Sequence, residues 1–171
     1  MGLSQSTLSY FCDIYHSPVG PIGVVVDEQF LRRIHFLIHP PAQPITPSRK
    51  APALATELFD LTITQLQEYF AGKRQQFALP LLLEGTPLQN KICQHLPSIP
   101  FGQQATYATV AATLGTHPRV IGNACGKNPL PIVLPCHRVV SQQGLGGFMG
   151  QTEGSPITIK RKLIELEKSF S

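Results

Sequence analysis

A cluster of prolines in the first third of the chain is the feature that most limits how it can fold. Residues 38–52 contain five of them: Pro40, Pro41, Pro44, Pro47 and Pro52. Proline fixes φ and has no backbone N–H, so it interrupts helices and the inner strands of sheets alike. We therefore expect residues 38–52 to form an extended surface loop, with regular structure on either side of it.

The segment before this loop has the alternating pattern of short strands. We expect strands at residues 7–15, 23–26 and 30–36, with turns at 17–21 and 27–29. Strands joined by such short turns pair antiparallel, so the pattern predicts a meander.

A helix is expected directly after the loop, because apolar residues recur there at helical spacing. They are Leu54, Leu58, Leu61, Leu66, Tyr69 and Phe70. Gly72, followed by Lys73 and Arg74, marks the end of this helix. Residues 77–83 then form either a short strand or a linker to a second unit.

The second unit begins with a clear helix start. Thr86 is suited to cap a helix, Pro87 to occupy its first position, and Gln89 to complete a capping box. The apolar face of this helix is expected to comprise Leu88, Ile92 and Leu96.

Three further helices are expected, at about residues 106–114, 118–126 and 157–168. The tight turn between the first two predicts a helix-turn-helix, although most such pairs are merely packed helices. The last helix should turn Ile157, Leu163 and Ile164 inward.

The chain thus divides into two expected domains. Residues 1–85 form an α/β domain, and residues 86–171 form a mostly helical one.

Composition excludes several classes of protein. With 42% hydrophobic residues and a mean hydropathy of +0.03, the chain is too apolar to be disordered. No run approaches the roughly 18 consecutive apolar residues that a membrane-spanning helix needs. The first twenty residues lack the basic and apolar regions of a secretory signal. We therefore expect a cytoplasmic protein without a membrane partner, associated with the nucleoid if it is bacterial.

The positive charge is unevenly distributed. Residues 1–85 hold six Lys and Arg against seven Asp and Glu, whereas residues 86–171 hold eight against three. The whole net charge of +4 therefore arises in the second half. A solvated basic face and a nucleic-acid-binding surface explain this equally well.

The cysteines are few and irregularly spaced, which favours reduced thiols over a disulfide framework. They are Cys12, Cys93, Cys125 and Cys136, of which we expect the first three to be buried small hydrophobes. His16, His35 and His39 accompany Cys12, but their spacing matches no zinc pattern. We predict no metal and no cofactor.

Cys136 has neighbours suited to a reactive thiol. The apolar segment 128–135 leads into Cys136-His137-Arg138, and glycines follow at 144, 146 and 147. The thiolate is the nucleophilic form of cysteine, and adjacent cationic groups favour it. This cluster, in the basic half of the chain, makes Cys136 the candidate nucleophile.

These residues resemble those of a known family. Pro135-Cys136-His137-Arg138-Val139 is similar to the signature of the O6-alkylguanine-DNA alkyltransferases, also called methylated-DNA–protein-cysteine methyltransferases. Other segments that resemble motifs of this family are 17–21, 86–89, 99–102, 119–124, 128–129 and 160–167. The resemblance covers nearly the whole chain and is densest after residue 86.

The resemblance implies an α+β fold. Its N-terminal domain would be ribonuclease H-like, with an antiparallel sheet and a helix. Its C-terminal domain would be mostly helical and winged-helix-like, with a helix-turn-helix.

The resemblance also implies a reaction. Cys136 would take the alkyl group from O6 of guanine, and since no step removes the thioether, each molecule would react once. His137 would draw the proton from Cys136 through a water, and Glu167 would orient the imidazole. Glu165 would be solvated on another helix face. Asn128 would tie the active-site turn to the helix-turn-helix.

Double-stranded alkylated DNA is the implied partner, bound by a monomer, with cooperative binding left open. Arg119 would replace the extruded base, from a helix in the minor groove. Tyr107 would crowd the phosphate and offer its hydroxyl to the guanine ring. Ala124, Lys127 and Arg138 would also lie at the DNA.

The substrate pocket follows from the same resemblance. Main-chain groups at Val139 and Met149, with Ser141, would read the guanine edge, and Pro131 with Phe148 would wall the alkyl group. O4-alkylthymine is an expected second substrate.

Two alternatives remain from the residues themselves. A helix-turn-helix regulator without transfer activity would leave Cys136, His137 and Glu167 unexplained. A cysteine hydrolase would use a Cys-His-acid set, but His directly after Cys is atypical of proteases.

Overall fold

The computed structural model describes residues 11–38 and 52–171. The proline-rich loop expected at 38–52 therefore lies almost wholly outside the described residues, as do residues 7–10 of the first expected strand.

The N-terminal half contains the expected antiparallel meander. Strands β1 (Phe11–Ser17), β2 (Gly20–Val26) and β3 (Leu31–Phe36) pair in the order β1-β2-β3. The β2–β3 turn is held by the Asp27 carboxylate, which accepts from the N–H groups of Gln29 and Phe30 at 2.7 Å each. An Asp side chain that closes its own turn in this way explains why the chain reverses here.

Helix α1 (Ala53–Phe70) packs on this sheet, but not with all the residues expected. Leu54 and Leu61, which share the helical spacing of the apolar residues, are 57% and 45% exposed and lie outside the core. Thr62 and Gln65 face inward instead, because their polar atoms find partners. The Thr62 hydroxyl donates to the Leu58 carbonyl, and the Gln65 amide bonds both main-chain groups of Ala78 at 2.8–2.9 Å.

The segment after α1 is a linker that follows the sheet. Leu31 in β3 donates its N–H to the Pro80 carbonyl at 2.8 Å and forms an isolated bridge with Leu81. The linker thereby leads the chain along the edge of the sheet to the second half.

The second half opens with α2 (Pro87–His95), followed by a 3-10 turn (Leu96–Ser98). Thr86 caps α2 through the Gln89 N–H, but the Gln89 side chain donates to the Lys127 carbonyl, so half of the expected capping box forms. Leu88 is 43% exposed, which corrects its expected place in the apolar face.

The helix-turn-helix comprises α3 (Tyr107–Leu114) and α4 (Pro118–Gly126). Gly115 ends α3 in the left-handed region at φ 67°, where glycine pays no steric penalty. A two-stranded parallel pair, β4 (Ala105–Thr106) with β5 (Val139–Val140), places the start of α3 beside the Cys136–Arg138 3-10 turn. Helix α5 (Ser155–Phe170) closes the chain.

One apolar core runs through both halves. The Ile34 N–H of β3 donates to the Pro129 carbonyl at 2.9 Å, and the rings of Phe36 and Phe148 lie 5.9 Å apart. The division at residues 85 and 86 stays a prediction. Within the ranges 11–38 and 52–171, no helix is both long and apolar enough to cross a bilayer.

We predict that Gln65→Ala lowers the free energy of unfolding by about 1–2 kcal/mol, because two hydrogen bonds to Ala78 are lost. Urea unfolding followed by circular dichroism measures the change. Gln67→Ala, at an exposed position of the same helix, is the control and should shift stability by less than about 0.5 kcal/mol. Equal effects of the two variants would contradict the packing described for α1.

Candidate active site

A tight, buried turn delivers Cys136. Its backbone reverses through hydrogen bonds from the Leu134 N–H to the Leu130 carbonyl at 2.8 Å and from the Cys136 N–H to the Leu134 carbonyl at 2.7 Å. Asn128 lies just after the end of α4 and fastens this turn. Its amide donates to the Leu134 carbonyl at 2.7 Å and accepts from the Leu130 N–H at 3.0 Å. These bonds place Asn128 where the resemblance expects it, between α4 and the active-site turn.

Cys136 is only 3% exposed. Burial raises the pKa of its thiol, and the Asn128 amide and the Lys160 ammonium oppose that rise. The resting thiol is therefore protonated, and its reaction requires a base nearby.

His137 is fully buried and bonded to Glu167, with Nε2 and Oε1 2.6 Å apart. An ionised carboxylate can only accept, so Nε2 carries the proton and Nδ1 is the free acceptor of a neutral ring. Among the described residues, Nδ1 is the buried side-chain nitrogen or oxygen without a hydrogen-bond partner. Burial lowers the pKa of His137, which keeps the ring neutral and able to accept a proton.

Glu167 is the acceptor for four different groups. Oε1 accepts hydrogen bonds from His137 Nε2, from the Tyr69 hydroxyl at 2.8 Å and from Arg138 Nη2 at 3.1 Å. Oε2 receives Arg138 Nε at 2.9 Å and the Gly102 N–H at 3.0 Å. Although burial acts to raise its pKa, the hydrogen bonds of His137 and Arg138, with the charge of Arg138 and that of His137 when it is protonated in acid, lower the pKa of Glu167 to about 2. The carboxylate is thus ionised at neutral pH despite being 1% exposed.

Lys160 is a buried ammonium that sequence reasoning did not assign to the site. Its Nζ donates to the carbonyls of Val139 at 2.6 Å and Gly147 at 2.9 Å, and lies 3.5 Å from the Tyr107 hydroxyl. Burial lowers its pKa to about 8. The spacing in α5 could have indicated that Lys160 is buried near Glu167. The two residues are seven positions apart and share the helix face that carries Leu163 and Ile164.

A cavity of about 330 Å³ adjoins this cluster. Its lining includes Tyr107, Cys125, Gly126, Phe148 and Gly150. The Tyr107 hydroxyl donates to the Gly147 carbonyl at 3.2 Å, and burial raises the pKa of Tyr107 to about 12, so the hydroxyl keeps its proton. Tyr107 and Phe148 line this cavity, whereas the thiol, the neutral imidazole base and the fixed carboxylate are buried outside its lining.

Comparison with known proteins identifies the family of this chain. A model of the 6-O-methylguanine DNA methyltransferase DNA-binding domain matches residues 87–169, and a model of the ribonuclease-like domain of the same proteins matches residues 10–83. The chain belongs to the 6-O-methylguanine DNA methyltransferase family. The α+β fold expected from the sequence is confirmed.

Individual relatives agree along most of the chain. The methylated-DNA–protein-cysteine methyltransferase of Metallosphaera sedula is 32% identical over 91% of this chain and 92% of its own length. The constitutive one of Bacillus subtilis is 45% identical, over 61% of this chain and 62% of that relative. A crystal structure of Mycobacterium tuberculosis O6-methylguanine methyltransferase is 33% identical, covers 95% of each chain and has a TM-score of 0.77.

Arg138 is buried inside the protein and not at the surface that its expected contact with DNA requires. It is 4% exposed, pairs with Glu167 and donates Nη1 to the Ile99 carbonyl at 2.7 Å. Its guanidinium also lies over the Phe101 ring, 5.7 Å from the centroid. The charge of Arg138 is used inside the protein, to hold Glu167 ionised, and the expectation of a DNA contact is corrected accordingly.

The expected DNA-contacting residues of α4 separate into two faces. Arg119 and Lys127 are exposed, eight residues apart, with exposed Asn123 midway between them. Ala124 is 5% exposed and points into the core, which corrects its expected place at the DNA. The exposed face of α4 therefore carries the positive charge of Arg119, and that of Lys127 follows directly after the helix.

The expected pocket residues are also divided. Phe148 lines the cavity beside Tyr107, whereas Ser141 lines a neighbouring cavity. The Val139 carbonyl already accepts from Lys160, and Pro131 is buried in the active-site turn. Met149 takes a φ of 53°, a left-handed conformation that is uncommon outside glycine.

The other three cysteines and Glu165 were also given expected positions. Cys93 and Cys125 are buried, but Cys12 is half-buried, which corrects its expected place in the core. Glu165 is exposed on α5. His39 lies outside the described residues, so the absence of a metal site near Cys12 stays a prediction.

We predict that Glu167→Gln lowers the free energy of unfolding at pH 7 by about 3–5 kcal/mol, because it leaves Arg138 buried without its counter-charge. Glu165→Gln, exposed on the same helix, is the control. The Glu167 pKa is lowered on folding, so its stabilisation is complete above pH 4.5 and is lost as the pH falls towards 2. Urea unfolding at several pH values should show the stabilities of the wild type and Glu167→Gln converging in acid. A difference that stays constant with pH would contradict this assignment.

Proposed function

We propose that this protein repairs DNA by transferring the alkyl group of O6-alkylguanine to the sulfur of Cys136. The observation that carries the proposal is the buried Cys136-His137-Glu167 set, in which the free imidazole nitrogen belongs to a neutral ring. Relatives named methylated-DNA–protein-cysteine methyltransferases support the reaction class.

In this proposal the proton leaves Cys136 for Nδ1 of His137 through a bridging water. Glu167 stabilises the imidazolium that forms but stays ionised itself, because the hydrogen bonds from His137 and Arg138 hold its pKa at about 2. The proton therefore stops at His137. Lys160 favours the thiolate electrostatically, which offsets part of the cost of ionising a buried sulfur.

The transfer itself is an in-line displacement at the alkyl carbon. A bond forms between that carbon and the Cys136 sulfur, and the bond between the carbon and O6 breaks, with its electrons remaining on guanine. The Tyr107 hydroxyl donates a hydrogen bond or its proton to the guanine ring, so the base need not leave as a full anion. Lys160 Nζ, 3.5 Å from that hydroxyl, stabilises charge that develops on Tyr107.

Each molecule reacts once in this scheme. A thioether has no good leaving group at neutral pH, so the alkyl group stays on the Cys136 sulfur. The protein is then both catalyst and stoichiometric acceptor.

Access to Cys136 requires the target nucleotide to leave the duplex. A sulfur that is 3% exposed cannot reach a stacked base, so the base must swing into the cavity, at a cost of roughly a few kcal/mol. We assign Arg119, exposed near the start of α4, to fill the space left in the stack. The positive charge on α4 then faces the DNA backbone.

Further details belong to the same proposal. O4-alkylthymine presents an alkylated exocyclic oxygen on a flat ring and fits the same chemistry. We propose a monomer that acts on double-stranded DNA in the cytoplasm. Titration of the protein with DNA tests whether several molecules bind cooperatively along it. A crystal structure of Mycobacterium tuberculosis OGT in complex with DNA, 32% identical to this chain with a TM-score of 0.76, supports DNA as the partner.

We predict that incubation with a duplex containing O6-methylguanine adds one methyl group to the peptide that contains Cys136, detected by mass spectrometry after digestion. Cys136→Ala should abolish transfer while retaining DNA binding, and Cys12→Ala should transfer normally because Cys12 lies in β1, outside the site. Methylation of another residue, or none in the wild type, would reject the proposal. DNA binding without any transfer would favour the helix-turn-helix regulator instead.

We predict that Arg119→Ala slows single-turnover transfer from duplex DNA by about 10-fold or more, through loss of base-pair replacement. Transfer from a single-stranded oligonucleotide should fall much less, because the base need not be extruded. Arg161→Ala, an exposed arginine on α5, controls for the loss of a surface charge. An equal loss on both substrates would assign Arg119 to general DNA affinity.

A further inference from the structure

We propose that Tyr69, from the N-terminal half, is a positioning residue for the His137-Glu167 pair. This inference rests on the proposed function and extends the site to a part of the chain in which the sequence predicted no site residue.

The Tyr69 hydroxyl lies at the point where His137 and Glu167 meet. Its oxygen is 2.8 Å from Glu167 Oε1, to which it donates, and 3.4 Å from His137 Nε2. The side chain is fully buried, so water does not compete for these bonds. Burial and the Glu167 charge raise the pKa of Tyr69 well above its ordinary value, so the hydroxyl retains the proton it donates.

The ring of Tyr69 has little freedom to move. It packs edge-on against Phe70 and Phe101, with centroids 5.2 and 5.9 Å away, and against Phe77 at 5.7 Å. Helix α1 therefore delivers a rigid donor to a site whose other members come from the C-terminal half. A buried hydroxyl needs only one hydrogen-bond partner, whereas the Tyr69 hydroxyl lies within reach of both Glu167 and His137.

Two effects on the reaction follow from this geometry. Tyr69 fixes the carboxylate oxygen that faces Nε2, and its own oxygen is a second acceptor for the Nε2 proton. Both favour the tautomer that leaves Nδ1 free to take the proton of Cys136. By donating to Oε1, Tyr69 also reduces the negative charge that faces the imidazole, and so limits how strongly Glu167 favours the imidazolium.

The second effect gives a readout that simple packing would not produce. His137 is faced by Glu167 and Lys160 from α5, Tyr69 from α1, and Arg138 beside it. Of these, Tyr69 can lose its hydrogen-bonding atom without a change in formal charge. Tyr69→Phe leaves more negative charge on Oε1, so the imidazolium becomes more favourable and the pKa of His137 rises. Transfer should then begin to fail at a higher pH as the solution is acidified.

The experiment measures single-turnover methyl transfer from an O6-methylguanine duplex between about pH 5 and about pH 9, the range in which histidine titrates. For Tyr69→Phe we expect the maximal rate to fall about 3- to 10-fold and the acidic limb to move to higher pH. Tyr15→Phe removes a hydroxyl from another tyrosine of the same half, in β1, and should change neither quantity. The fraction of active protein, taken from the end point, corrects each rate for misfolding.

Each outcome bears on the inference. An unchanged rate and acidic limb in Tyr69→Phe, with active wild type, overturns it and leaves the proposed function intact. A lower rate with an unmoved acidic limb also overturns it, because packing alone then explains the loss. Wild-type protein without transfer rejects the proposed function itself. If Tyr69→Phe does not fold, a nuclear Overhauser contact between the Tyr69 hydroxyl and the His137 ring in the wild type supports the geometry, and its absence contradicts it.

Discussion

The buried carboxylate of Glu167 is the group on which the rest of the site depends. An ionised acid without water is stable only if donors surround it, and here an imidazole, a guanidinium, a phenol and a main-chain N–H do so. These four donors come from three separate parts of the chain, and the carboxylate itself comes from a fourth. Folding the protein therefore assembles the donors, and the donors in turn decide which nitrogen of His137 is left available.

The same dependence explains why the two halves share a core. Helix α1 carries Tyr69, the loop after α2 carries Gly102, the active-site turn carries His137 and Arg138, and α5 carries Glu167. The main-chain bond from Ile34 to Pro129 aligns β3 with the segment that leads to Cys136. A shift of the N-terminal half by the length of a hydrogen bond would remove the Tyr69 donor from Glu167, so the relative position of the halves affects how this carboxylate is held.

Local sequence patterns predicted the elements well and the inward faces less well. The meander, the helix-turn-helix and the closing helix follow from alternation, caps and helical spacing, which act over a few residues. Leu54 and Leu61 share the helical spacing of the apolar residues of α1 but are exposed, whereas Gln65 is buried because Ala78 satisfies its amide. Arg138 was placed at the DNA and Lys160 was given no role for a related reason: whether a charge is buried depends on partners distant in sequence, which no local pattern reveals.

The buried charge of Lys160 and the exposed charges of this molecule respond differently to salt. Its ammonium is fully buried between two carbonyls, so mobile ions cannot approach it, whereas Arg119 and Lys127 stand in solvent. Salt screens exposed charges over about 8 Å at physiological ionic strength and leaves enclosed ones almost untouched. The ionic strength of the medium can thus govern how readily such a protein meets a polyanion while the reactivity of its thiol stays the same.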